Sequence, residues 1–489
     1  MTATDTNQSH TPEHARPRAS ETPARPRWTP AMWAVLITAS FALCLDALDV
    51  SMVGVALPSI GAELGLDNAS LQWIVSGYVL GYGGLLLLGG RTADLLGRKK
   101  VFLIALVVFG AASLVGGLVD SGVLLIASRI VKGLAAAFTA PAAMSIVTTS
   151  FRAGPDRNRA LSIFAVFGAS GYASGLILSG LLTEIGWRWT FLATVPVVAV
   201  VIVSAVLFVP KDTERQSGGF DLLGAASLTG GMLSAVYAIV SLEHGFGTDV
   251  ILTAIAAVVL IGAFFAIEKR VEHPLIRLSI LKNPTMIRAN VALMALFGSY
   301  LSFQTMISLY LQNGLGWGAM TMAMSLAPAG VIVAVLSPFT GRLIDRYGTS
   351  PLILGSMTAM VIGYGVFLWR GGSPEPDYVA DFLPSVLLFG VGFALGFSSI
   401  VSQATGEASD DDQGLASGLV NTSGQVGGAL VLAVVTGLIS GGSGEGFDPY
   451  RPGLIFVTAV ALAGFFVVAY PMLRRGGAKP QEAPLTAVD

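Results

Sequence analysis

Gly90-Arg91-Thr92-Ala93-Asp94-Leu95-Leu96-Gly97, running on into Arg98-Lys99-Lys100, returns far downstream as Gly341-Arg342-Leu343-Ile344-Asp345-Arg346-Tyr347-Gly348. Each copy lies between two long apolar runs. A bilayer-spanning helix needs roughly 20 such residues, and windows of that length find about fourteen of them. They cover residues 31–58, 71–90, 101–119, 122–149, 160–183 and 189–209, then 220–242 and 250–267. The last six are 286–311, 320–343, 351–369, 382–403, 415–439 and 453–472. Both copies of the Gly-Arg turn follow the second helix of a six-helix set. The chain therefore reads as six helices, two extra, and six more. Many secondary transporters are built from repeated halves around a site near the bilayer midplane. A chance match between two tight turns is the competing reading, and the matched position in both sets argues against it.

The expected fold class is an all-α polytopic membrane protein with fourteen transmembrane helices. Its parts are a polar tail (1–30), a first six-helix half (31–210), a two-helix insert with its loops (211–284), a second half (285–474) and a short tail (475–489). Composition agrees. Of 489 residues, 53% are hydrophobic and 12% charged, and the mean hydropathy is +0.73. Soluble domains carry about 25% charged residues. The 59 glycines suit helices packed closely in lipid. A net charge of −2 offers no basic surface for nucleic acid, and the single Cys44 excludes an intrachain disulfide framework. The 1–27 tail, rich in Pro, Thr and Arg, reads as disordered.

Lys and Arg set the orientation. With the first tail in the cytoplasm, the cytoplasmic segments hold about 23 of the 28 basic residues. Arg188, Arg370 and Arg451 fall outside, while Arg129 and Lys132 lie within a span. Both termini are thus expected inside a multi-pass cell-membrane protein, with the lipid bilayer as its surroundings and a monomer as its working state.

These residues resemble the major facilitator superfamily, and the 6+2+6 layout is similar to its fourteen-helix drug–proton antiporter branch. The likeness spans nearly the whole chain between the tails. The Gly90–Lys100 stretch is similar to the family's loop after helix 2. Leu48-Asp49-Val-Ser-Met-Val-Gly-Val-Ala56-Leu57-Pro58 resembles the branch's first-helix motif, and Arg129-Ile-Val-Lys132-Gly133 its helix-4 motif Arg-x-x-Gln-Gly. Smaller echoes are Trp187-Arg188-Trp189, Phe220-Asp221-Leu-Leu-Gly224 and Ala416-Ser417-Gly418. Three departures stand out. The helix-5 antiporter motif reads Gly171-Tyr-Ala-Ser-Gly175-Leu176-Ile-Leu-Ser179-Gly180, with Leu176 where the family has Pro. Lys132 replaces the helix-4 Gln, and Asp46 is an additional acid three residues before Asp49. Losing the Pro predicts a straighter helix with one more backbone hydrogen bond. Gly171, Gly175 and Gly180 are expected to keep close helix contact.

Ionisable residues at membrane depth are costly and default to function. Asp46 and Asp49 share nearly one helical face, as do Arg129 and Lys132. Counted from the external helix ends, Asp49 and Arg129 lie roughly 8 residues down and Asp46 and Lys132 roughly 11, matched to about 3 Å in each pair. The expectation is a charge-balanced quartet in the first half, with Asp49 the main proton-coupling carboxylate and Asp46 tuning it. A static ion-pair network that orients helices 1 and 4 is the alternative. Gly90, Asp94, Gly97, Arg98 and Asp345 read as a gating turn, with Asp94 accepting hydrogen bonds at the start of the thirteenth span near Gly414.

Tyr78, Gln304, Ser308, Asn421 and Gln425 are candidate substrate-lining residues, with Asn290, Tyr300, Gln403, Tyr82, Trp73 and Phe138 as weaker ones. Interhelical hydrogen bonding is the alternative for each. No acid lies deep in the second half, which points to a lipophilic substrate without two positive charges. No enzyme constellation and no Walker loop are present. The expected function is proton-driven export of small lipophilic compounds, with no cofactor and with protons as the driving partner. Proton-coupled uptake of an organic anion, held by Arg129 and Lys132, is the second reading.

Overall fold

The computed structural model describes residues 28–152, 155–211, 219, 221–242, 247–271, 274–276, 282–373, 376–406, 413–441 and 446–475. Among them are fourteen helices long and apolar enough to cross a membrane. The first half holds α1 (Pro30–Leu64), α2 (Asn68–Leu96), α3 (Arg98–Leu118), α4 (Gly122–Ser150), α5 (Pro155–Ile185) and α6 (Trp189–Phe208). The insert is α7 (Leu222–Ser241) and α8 (Thr248–Glu268). The second half holds α9 (Pro284–Leu309, prolonged by a π turn to Gly314), α10 (Ala319–Tyr347), α11 (Thr349–Arg370), α12 (Tyr378–Gly406, its first turn π), α13 (Gln413–Ser440) and α14 (Arg451–Arg475).

Local chemistry starts and stops these helices. Thr29, Asp67, Asp221 and Asn283 each accept a backbone N–H at a helix N-terminus, worth about 1 kcal/mol apiece. The first span does not end at Pro58, as expected. It runs on to Leu64 and stops at Gly65, whose φ of 64° closes the left-handed cap. Pro58 and Pro141 are accommodated inside α1 and α4, since neighbouring helices in a membrane can satisfy the freed carbonyls. α5 runs unbroken through Leu176.

The duplication is visible in the packing. In the first half α1 pairs with α5, α2 with α4, and α3 with α4 and α6. In the second half the corresponding pairs are α9 with α13, α10 with α12, and α11 with α12 and α14. Small residues make these approaches possible. A Cβ on Gly81 would lie 2.7 Å from the Ile130 carbonyl oxygen, one on Gly298 2.8 Å from that of Gly427, and one on Gly390 2.8 Å from that of Ala329. The halves meet through α5 against α10 and α2 against α13, the same pairing seen from either side of the repeat. The insert forms a hairpin whose α7 lies on α2 and α13.

Candidate functional site

Three charged side chains meet inside the first half. Asp49 of α1 accepts from Arg129 on one carboxylate oxygen and from Lys132 on the other. All three are about 1% exposed. Arg129 also donates through Nε to the Ile74 carbonyl at 2.9 Å, and its guanidinium lies 4.5 Å from the Tyr78 ring centroid. Lys132 Nζ sits 4.6 Å from the Phe109 ring and 5.7 Å from that of Phe191. Four helices beside α1 therefore build the surroundings. α4 carries the cations, α2 supplies a carbonyl and Tyr78, and α3 and α6 each supply an aromatic face that favours a cation. Buried ions are tolerated only when paired and hydrogen-bonded in this way.

Asp46 stands apart. It is buried, yet its Oδ2 has no hydrogen-bond partner. The depth count matched Asp46 with Lys132, but the lysine bonds Asp49 instead. A flexible four-carbon stem can deliver its ammonium one helical turn from its own Cα, so depths counted at the backbone do not decide its partner. The site is a triad with a separate acid beside it.

The candidate lining residues divide. Tyr78 lies against Arg129 of the triad. Gln304 of α9 accepts a hydrogen bond from the Tyr172 hydroxyl of α5, bridging the halves. Ser308 accepts from Gln312 Nε2 at 3.0 Å, and the same amide reaches the Val55 carbonyl of α1 at 3.0 Å. Asn421 donates to Ser417 on its own helix. Gln425 packs on Gly83 of α2, where an added Cβ would lie 2.6 Å from the Gln425 Cβ. Sequence reading passed over Tyr172 and Phe393. Tyr172, Tyr300 and Phe393 form an aromatic group between the halves, with centroids 5.0–6.4 Å apart, and Phe397 stacks on Phe393 at 5.9 Å. Tyr172 lies inside the helix-5 motif next to Gly171, and that aromatic placed 100° from a packing glycine was the available signal.

Gly171 and Gly175 pack α5 on α1, where an added Cβ would stand 2.9 Å from Cys44 Cα and 3.0 Å from Leu48 Cα. Gly180 faces the other way, onto Met320 and Ala323 of α10.

In the gating turn, Gly97 has φ 101° and Gly348, its repeat, φ 81°. Both conformations favour glycine. Gly90 makes no tight contact, since a Cβ there would meet Pro141 at an ordinary 3.7 Å. The close approach belongs to Gly89, which lies on the Ala137–Phe138 backbone of α4. Lys99 caps α6, donating to the Val206 and Val209 carbonyls at 2.9 and 2.6 Å. Arg98 opens α3, and Asp345 is exposed at the end of α10. The side chain of Asp94 and the loop 407–412 lie outside the described residues, as do the side chains of 413–415, so the expected Asp94 contact is not described.

The Major Facilitator Superfamily model matches residues 39–432. The cephamycin export protein CmcT of Amycolatopsis lactamdurans is 34% identical over 90% of this chain and 91% of its own length. The puromycin resistance protein pur8 of Streptomyces alboniger is 32% identical over 84% and 82%. The lincomycin resistance protein of Streptomyces lincolnensis is 31% identical over 93% and 92%. Among solved structures, the nucleoside transporter NupG (D323A mutant) superposes with a TM-score of 0.65 at 15% identity, covering 90% of this chain and 99% of that one. The chain belongs to the major facilitator superfamily and is a multi-pass membrane protein of the transporter type.

Proposed function

We propose that this member of the superfamily exports small lipophilic, antibiotic-like compounds from the cytoplasm in exchange for protons, across the cell membrane and with both termini inside. Relatives similar over more than four-fifths of the chain are named for antibiotic export or resistance, which supports the drug as cargo and outward as its direction. The observation that carries proton coupling is the buried cluster of Asp46, Asp49, Arg129 and Lys132 in the first half. Among the described residues, the buried acid of the second half, Asp381, sits in the first turn of α12 paired with Arg370 rather than in the middle of a span, so protons and cargo would have separate places. The cargo would lie between the halves, against Tyr172, Tyr300, Phe393 and Gln304. Uptake of an organic anion is disfavoured because Arg129 and Lys132 both already bond Asp49.

The test is accumulation of puromycin, lincomycin and a cephamycin in a drug-sensitive bacterium with and without expression of the chain. Expression should lower accumulation of at least one compound, and a protonophore should erase the difference. Higher accumulation on expression would reverse the direction, and a difference that survives the protonophore would remove the proton.

A further inference from the structure

Both oxygens of Asp49 are occupied, each by a different cation. Protonating it would mean displacing one of them and leaving two buried cations with no full carboxylate between them, the costly way to break a buried pair. Asp46 is under no such restraint. It lies three residues away on α1, about 4.5 Å nearer the amino-terminal face, and is 6% exposed against 1% for Asp49. Its Oδ2 is buried without a partner, so a proton can join or leave it without breaking any hydrogen bond at that atom. The titratable groups around it are Cys44 and Asp49 on α1, Tyr78 and Tyr82 on α2, and Lys132 on α4.

We infer that Asp46 is the side chain that exchanges the transported proton, and that Asp49 is the fixed counter-ion of Arg129 and Lys132. This rests on the proton-driven reading above. In the step, the Asp46 O–H bond breaks, the proton passes to water on one side of the membrane, and the carboxylate remains. A proton from the other side re-forms the bond. With Asp46 ionised, the cluster holds two carboxylates and two cations and is balanced. With Asp46 protonated, it carries one positive charge. Each turnover thus changes the net charge of the cluster while the Asp49 triad stays bonded and keeps α1 and α4 in place.

The inference is tested on the full chain by infrared difference spectroscopy across a pH titration, with no substrate present. The wild type should show the carbonyl stretch of a buried carboxylic acid that titrates. Asp46→Asn should lose that band, Asp49→Asn should keep it, and Asp46→Glu should restore it. A band retained in Asp46→Asn, or lost only in Asp49→Asn, overturns the assignment. In proteoliposomes, proton flux induced by whichever of puromycin, lincomycin and a cephamycin the wild type exports should fall about 100-fold in Asp46→Asn, while gradient-free exchange of that labelled compound persists and reports a folded protein. Wild-type vesicles in which none of puromycin, lincomycin and a cephamycin induces proton flux would defeat the proton-driven reading itself. Wild-type flux that Asp46→Asn retains would defeat only the assignment.

Discussion

Replacing Asp49 by Asn removes the acceptor shared by Arg129 and Lys132 inside a site closed to water. Orphaning buried charges in this way costs about 3–5 kcal/mol. Asp49→Asn should therefore lower the thermal unfolding midpoint of the purified protein well below that of Asp46→Asn, whose loss breaks no ion pair. Equal midpoints would argue against the triad. Tyr172→Phe keeps the aromatic group and removes only the hydroxyl bonded to Gln304, a bond worth about 0.5–1.5 kcal/mol. Transport by that variant should continue with an affinity reduced at most about tenfold, measured as the concentration giving half-maximal efflux. At this scale the sequence was legible wherever charge is scarce. Asp46, Asp49, Arg129 and Lys132 were found because orientation explains nearly every other basic residue. Who bonds whom was not legible, because a lysine's reach exceeds the depth difference on which the pairing was argued.

At the scale of elements, helical phase decides what a glycine does. Gly171 and Gly175 are four residues apart and share a face, which lies on α1. Gly180 is nine residues from Gly171, about 180° around the helix, and lies on α10 of the other half. Gly175→Val should disturb α1 against α5 within one half and reduce the yield of monodisperse protein in size-exclusion chromatography. Gly180→Val should leave that yield near wild type while export falls, because α5 and α10 can no longer close on each other. The opposite pattern would show that the phase assignment is wrong. The three glycines were recognised in the sequence as packing residues, and their phases were computable from spacing alone. Their partners required the fold. Gly97→Ala and Gly348→Ala, at positive φ, should each cost about 1–3 kcal/mol in thermal stability, whereas Gly90→Ala, in ordinary contact, should be nearly silent.

For the whole molecule, the duplicated Gly-Arg turn, the run of apolar segments and the basic-residue asymmetry already implied fourteen helices in a 6+2+6 order, and fourteen are described. The sequence could not show how the halves meet, since a pairing such as α5 with α10 joins segments far apart in the chain and depends on side chains that carry no periodic signal. Among the described residues, the ion cluster of Asp46, Asp49, Arg129 and Lys132 sits within the first half, and the aromatic contacts of Tyr172 with Tyr300 and Phe393 lie between the halves. The most direct test is reconstitution of the purified chain in proteoliposomes with a pH gradient imposed, following together the internal pH and a labelled compound whose accumulation in cells the chain lowers. The account predicts that this compound accumulates against its gradient while protons flow the opposite way, and that a protonophore stops both. Movement of that compound that is unchanged without a pH gradient, or that runs in the same direction as the protons, would contradict it.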